Sequence, residues 1–408
     1  MRLTLKTKTN QCKRIDKLII DIGACDASRD ATLGVPRIDG WGGGGMPEDS
    51  SMLHPASSSC DRLRRASTRR LVVVQGVVMS SLRLSVLEQI PLFAGRTPRQ
   101  AVEDVVRLAR GVEEVGYHRF WLAEHHNTGA FVSSAPDLLM MHVLDATGRI
   151  RVGSGGVMAM HYGSLQIAER FATLAALFPG RVDLGLGRAP GGDLLAARAL
   201  NQGRVIDPDA IDMLIAETVG MLRDELPVGH PYASLEVRPR PETPPELWLL
   251  GSSGQSAAWA GQHNLGYAYA QFFTGHQQVE IMSHYRAHLP EGAPEDRTLS
   301  ALCVSAAPTR EQAREQALAA ADFRLGLRQG RADGFREPAA LTPERRSDVE
   351  AHLERDTAII VGTYDEVADV LRAFAKNHRT DELMLVSYIN DVEDKIVQYR
   401  ELAARLTG

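Results

Sequence analysis

From residue 83 onward the chain alternates two hydrophobic rhythms. Short, largely apolar runs of four to eight residues recur at Arg83–Leu87, Arg119–Ala123, Ile150–Val157, Arg181–Leu186, Leu247–Leu250, Tyr267–Gln271, Leu299–Val304 and Glu382–Val386. Runs of that length with little polar interruption are what parallel strands buried on both faces require. Between them lie segments whose apolar residues repeat with the helical period. Eight such strand and helix pairs predict an α/β protein, a (β/α)8 TIM barrel. The 330 residues from 79 to 408 exceed the typical size of about 250, so insertions are expected in the connections.

Local signals mark the ends of the helices. Thr97-Pro98 opens one with an inward stripe of Val102, Val105, Val106, Ala109 and Val112. Leu165, Ala168, Phe171, Leu174 and Phe178 repeat the pattern, and Thr363 opens a third helix carrying Val367, Val370, Leu371 and Phe374. Gly116 and Gly180 mark helix exits, where glycine accepts a left-handed backbone. Two segments fit neither rhythm, Leu226–Pro245 and Phe323–Pro343. The second is rich in Arg and Gly and is a candidate mobile lid over the rim.

Residues 1–78 read differently. They have no sustained period, contain WGGGG and SSSC, and are basic, with 13 Lys/Arg against 8 Asp/Glu, whereas the rest of the chain is acidic within an overall net charge of −5. We expect a disordered leader, or one that is not native, with Met79 the natural start of a single barrel domain over 79–408. The acidic body disfavours a nucleic-acid partner. Leu71–Met79, the longest apolar candidate, is broken by Gln75 and Gly76 and falls short of a bilayer span, so no membrane partner is expected. Of four cysteines only Cys303 lies in the body, which leaves no disulfide framework or zinc spacing and points to a reducing cytoplasm.

The chemistry-bearing residues follow the strands, where ligands bind in parallel α/β folds. Glu124-His125-His126-Asn127 comes after the second strand, and two imidazoles there can move protons near neutral pH. The alternative is a loop pair satisfied by carbonyls; no metal site is expected, because adjacent residues of an extended chain point apart. His161 and Tyr162, after the third strand, are placed to face the same cavity. Gly155-Gly156 ends the third run, where glycine lets a flat ring lie against the backbone or simply makes a turn. Gly185-Leu-Gly187-Arg188-Ala-Pro-Gly-Gly lacks the spacing of a dinucleotide fingerprint, so Arg188 reads better as a fixed cation for a phosphate or an anionic ring. Gly251-Ser252-Ser253-Gly254-Gln255-Ser256 runs from a strand into a helix, offering either a phosphate cradle or plain serine capping.

At these residues the chain resembles the bacterial luciferase-like flavin-dependent monooxygenases. The similarity runs from Leu82 to Leu406 and is strongest at GYHRFWLAEHH, RIRVGSGGVM, ALFPGRVDLGLGRAPGGD, WLLGSSGQSA and TDELMLVS. The resemblance implies an oxidoreductase in which FMN, reduced by a separate flavin reductase, reacts with O2 to give a C4a-peroxyflavin that oxygenates a small organic substrate. It implies catalytic His125 with His126 in support. It also implies flavin-binding Gly155 and Gly156, matching a pair joined by a non-proline cis peptide, and phosphate-binding Arg188, Ser252, Ser253 and Ser256. A homodimer is implied as well. Ser252 stands where luciferase has a glutamate and Gly187 where it has a reactive cysteine, which argues against light emission with a long-chain aldehyde. The alternatives are a deazaflavin (coenzyme F420)-dependent hydride-transfer oxidoreductase on the same barrel and a flavin-binding protein without turnover.

Overall fold

The eight expected strands follow one another around a closed ring. The computed structural model describes residues 82–407, apart from 205–206, 295–296 and 332–333; the expectations for the leader and for Met79 lie outside them. The strands are β1 (Arg83–Glu88), β2 (Arg119–Leu122), β3 (Arg151–Ser154), β4 (Val157–Met158), β5 (Val182–Gly187), β6 (Glu246–Gly251), β7 (Gly266–Ala270), β8 (Thr298–Ala307), β9 (Ile359–Thr363) and β10 (Glu382–Val386). Every pairing between them is parallel, in the order β10-β1-β2-β3-β5-β6-β7-β8, and β8 pairs back to β10 to close the barrel. The closed, parallel, helix-wrapped ring is the expected TIM barrel.

Two strands lie outside that ring. β4 continues the third run after a break and pairs with β5 through Val157–Leu186 and Met158–Gly187. β9, which the apolar pattern did not single out, pairs with the second half of β8 from Cys303 to Ala307. β8 is long enough, at ten residues, to serve the barrel with one half and β9 with the other.

Burial on both faces explains the apolar runs. On β1, Leu84 and Val86 join the shell between sheet and helices, while Leu87 joins the lumen with Trp121, Trp248, Ala268, Ala301 and Met384. The floor of the lumen is ionic. Arg119, buried, donates to Glu382 at 2.9 Å, to Asp183 at 2.8 Å and to Glu246 at 2.8 Å, while Arg151 donates to the other oxygen of Asp183 and Ser85 donates to Glu382 at 2.6 Å.

The helix signals hold with local adjustments. Thr97 and Thr363 each close a capping box, with Gln100 and Glu366, at the starts of helices Pro98–Glu114 and Tyr364–His378. Leu108 rather than Val102 or Val106 fills the stripe of the first, and Val370 of the second is exposed. Leu226–Pro245 carries turns only. Phe323–Pro343 begins as the last turns of helix Arg310–Arg328; within it Phe335 is buried and Arg336 bonds Asp322. Among the described residues no helix is long and apolar enough to cross a membrane.

Candidate active site at the barrel rim

The loops after β2, β3, β5 and β6 carry the candidate residues, and sheet order makes these four strands neighbours. Their shared rim has two sides, one built from histidines and an acid, the other from a cation and a serine turn.

Glu124 leaves β2 fully buried. One carboxylate oxygen accepts from His126 Nε2 at 2.7 Å and from the Tyr162 hydroxyl at 2.9 Å, and the other accepts from the Met158 N–H at 3.0 Å. A single carboxylate thereby joins its own loop to the loop after β3. Burial first, then the Glu124 charge, pushes the Tyr162 phenol well above its usual range. The third loop is joined by backbone. His126 N–H donates to the Gly191 carbonyl at 2.8 Å, and Asn127 Nδ2 donates to Asp193 at 3.0 Å. Gly191 has a φ of +60°, and a Cβ there would lie 2.7 Å from Met158 and 3.0 Å from the Glu124 carbonyl, so only glycine fits both conformation and contact.

His125 turns the other way. Its ring stacks on Phe131 at 4.2 Å, and Nδ1 lies 3.5 Å from the Ser133 hydroxyl. Burial, with a smaller contribution from His126, pulls its pKa down to about 4, so the ring is neutral at physiological pH. Phe131 continues into an aromatic wall: it meets Phe323 at 5.3 Å and Phe335 at 5.5 Å, and Phe335 stacks on Tyr388 at 5.1 Å. His161 stands edge-on to His126 at 5.4 Å and is fixed at both nitrogens, donating from Nε2 to the Pro190 carbonyl and accepting at Nδ1 from Asn201.

Gly155–Gly156 is a cis peptide, where the β3–β5 ladder lapses before β4 resumes it. The Ser154 side chain fills the gap, its hydroxyl donating to the Gly185 carbonyl at 2.8 Å and accepting the Gly185 N–H at 3.0 Å. A Cβ on Gly156 would sit 2.8 Å from that carbonyl, so close backbone approach already accounts for this glycine.

On the other side, Arg188 follows β5 and is partly exposed, with a 3.4 Å contact to Asp212 of helix Pro208–Arg223. Its charge reaches the Tyr267 hydroxyl, which lies 3.1 Å from Ser256 Oγ and donates to the Ser253 carbonyl at 3.3 Å. β5 and β6 are paired, so the loops that carry the cation and the serine turn are neighbours on the rim. Ser253 caps helix Gly254–Gln262 and is exposed, and the Ser252 hydroxyl makes no hydrogen bond among the described residues. Ser256 differs from them: it is buried, and its hydroxyl donates to the Ser253 carbonyl at 2.8 Å, so it shapes the turn rather than facing out. A guanidinium with most of its donors free, the Ser252 hydroxyl, the helix-capping Ser253 hydroxyl and the N–H groups of a helix start form a donor set that fits a phosphate monoester. Cys303 takes no part, since burial in the lumen pushes its thiol up to about 12.

The sequence matches a known family. Residues 82–381 fit the model of the luciferase-like monooxygenases. The chain belongs to that family. It is 36% identical over 326 residues to the N-acetyl-S-alkylcysteine monooxygenase of Bacillus subtilis (strain 168), covering 79% of this chain and 97% of that protein. The crystal structure of apo-MsnO8 superposes with a TM-score of 0.70 at 33% identity, covering 79% of this chain and 98% of that one. The fold is shared more widely within and beyond FMN chemistry. The oxygenating constituent of 3,6-diketocamphane monooxygenase, in complex with FMN, gives 0.59 at 15% identity over 80% of this chain and 98% of that one, and an F420-dependent secondary alcohol dehydrogenase gives 0.60 at 16% over 80% and 100%.

The family motifs pointed to His125, His126 and Arg188 but not to their partners. Asp212, Phe335 and Tyr388 come from distant segments, while Phe131 lies six residues after His125 in the same loop. Glu124 was visible beside the histidines, yet nothing in the chain marks it as the link between its own loop and the one after β3.

Proposed function

We propose that this luciferase-like monooxygenase uses reduced FMN and O2 to oxygenate a small organic substrate. The observation that carries the reading is the adjacency, on neighbouring strand ends, of a phosphate-type donor set and a histidine pair. Reduced FMN, when bound, supplies the electron pair that activates O2. Arg188, Ser252 and Ser253 hold its phosphate, with Ser256 keeping the turn in shape. Gly155 and Gly156 offer a backbone free of side chains for the ring. His125, neutral and backed by Phe131, offers a hydrogen bond without bringing a charge to the site. The aromatic wall keeps water from the mouth, which protects reactive species from hydrolysis.

The same reading includes a separate flavin reductase and a cytoplasmic homodimer. Exposed Leu138, Met141 and Leu177, on helices Pro136–Ala146 and Ser164–Leu177, are apolar surface of the kind a second copy covers. The name of the Bacillus subtilis relative makes N-acetyl-S-alkylcysteines and other thioethers the first substrates to try.

Anaerobic titration with reduced FMN, then oxygen in the presence of a substrate panel, tests the reading. Tight binding and substrate-dependent product oxygenation are expected. Binding of reduced coenzyme F420 with hydride transfer and no oxygen uptake overturns it, as does flavin binding without turnover of any compound. Arg188→Ala should weaken FMN binding by about 10-fold to 100-fold and leave riboflavin, which lacks the phosphate, unaffected.

A further inference from the structure

The Glu124 carboxylate is fully buried, and its contacts among the described residues are all donors: an imidazole, a phenol and a backbone N–H. A carboxylate can only accept, so His126 must carry a proton on Nε2 to make the 2.7 Å bond. The other nitrogen, Nδ1, has no hydrogen bond among the described residues, and it is not among their buried atoms lacking a partner, so it is open at the rim. The surroundings hold this residue from two sides: His161 is edge-on to the ring, and the Gly191 carbonyl takes the backbone N–H.

We propose that Glu124 is the positioning residue that makes His126 Nδ1 the proton acceptor of this site. The inference rests on the oxygenase reading above. In it, the lone pair on Nδ1 takes a proton from the substrate or from water as the O–H or N–H bond there breaks, the resulting imidazolium is balanced by the Glu124 carboxylate, and the proton then leaves to solvent. No electrons change hands in this step. The roles of the two histidines therefore divide. His125, stacked and neutral, hydrogen-bonds, while His126 moves the proton. Tyr162 is a second donor to the oxygen used by His126, and the His126 bond does not depend on it.

The test begins without any flavin. In ligand-free protein labelled with 15N-histidine, with the His126 resonances assigned by loss in His126→Gln, the expected spectrum at neutral pH shows Nε2 protonated and Nδ1 bare. Glu124→Gln should abolish that preference, and Tyr162→Phe should keep it. A wild-type spectrum with the proton on Nδ1, or with both nitrogens protonated at neutral pH, overturns the proposal, and so does a Glu124→Gln spectrum that matches wild type. If Glu124→Gln does not fold, the wild-type and Tyr162→Phe spectra still decide. In turnover, Glu124→Gln should lower kcat by about 100-fold or more while the Kd for reduced FMN stays within about threefold. Failure of the oxygenase reading looks different, because it appears as absent flavin binding or oxygenation in the wild type whatever the tautomer.

Discussion

Adjacent in sequence, His125 and His126 sit in opposite surroundings. The first is packed on Phe131 with no acid in reach, and the second is bonded to a buried carboxylate. For His125 the consequence is a pH effect with a definite sign. Its folded pKa of about 4 lies below the ordinary histidine value of 6.5, so between those values the unfolded chain binds the extra proton and stability rises with pH. Acidification through this window should cost the fold up to about 3 kcal/mol from this residue. Urea titrations at a series of pH values should show a flatter profile for His125→Gln than for wild type; parallel profiles would remove the burial account. The histidine pair was legible from composition and position at a strand end. Which ring is bonded to the acid was not, because the Glu124 carboxylate is also held by Met158 and Tyr162 from another loop.

Among the elements, the junction of β3, β4 and β5 is the most tightly constrained. Ser154 replaces the missing ladder bonds, and a Cβ on Gly185 would lie 2.1 Å from the Ser154 carbonyl, backbone against backbone. No side chain can swing away to relieve that clash. Gly185→Ala is therefore expected to destabilise by more than the roughly 1–3 kcal/mol of ordinary overpacking, measured by chemical denaturation. Gly163→Ala is the control, since a Cβ there meets nothing within 4 Å, and it should stay within about 0.5 kcal/mol of wild type. All eight barrel strands were legible as apolar runs. The lapse between Ser154 and Val157 was not, since an eight-residue run at Ile150–Val157 looks continuous until pairing with β5 interrupts it. β9 escaped notice for a related reason: it adds to the outer half of β8 and answers to no position in the ring.

For the molecule as a whole, the ionic floor and the rim occupy opposite ends of one lumen. Burial works to raise the Asp183 pKa, but the Arg119 and Arg151 guanidiniums outweigh it and hold the carboxyl below its usual range. That contribution is present above the ordinary carboxylate range and is lost as pH falls through the lower folded value. Arg119→Met should cost about 3–5 kcal/mol at neutral pH, because it strips Glu382 and Asp183 of a buried partner, and thermal melts should show that loss shrinking in acid. We also expect a chain starting at Met79 to match the full-length protein in melting temperature and flavin affinity. A large loss of either would assign residues 1–78 a part in the barrel domain.

The sequence by itself determined the barrel, the order of its strands and the loops that carry the candidate residues. Those properties are local: apolar run length, helical period and capping residues are written within a few positions of each other. Only the tertiary structure decided that Glu124 meets Met158 and Tyr162, that Asp212 faces Arg188 and that Phe335 closes an aromatic wall with Phe131 and Tyr388. Each of these depends on which strand lies beside which and at what register. Hydrogen bonding between residues far apart in the chain fixes those relations, and no short window of sequence contains both partners.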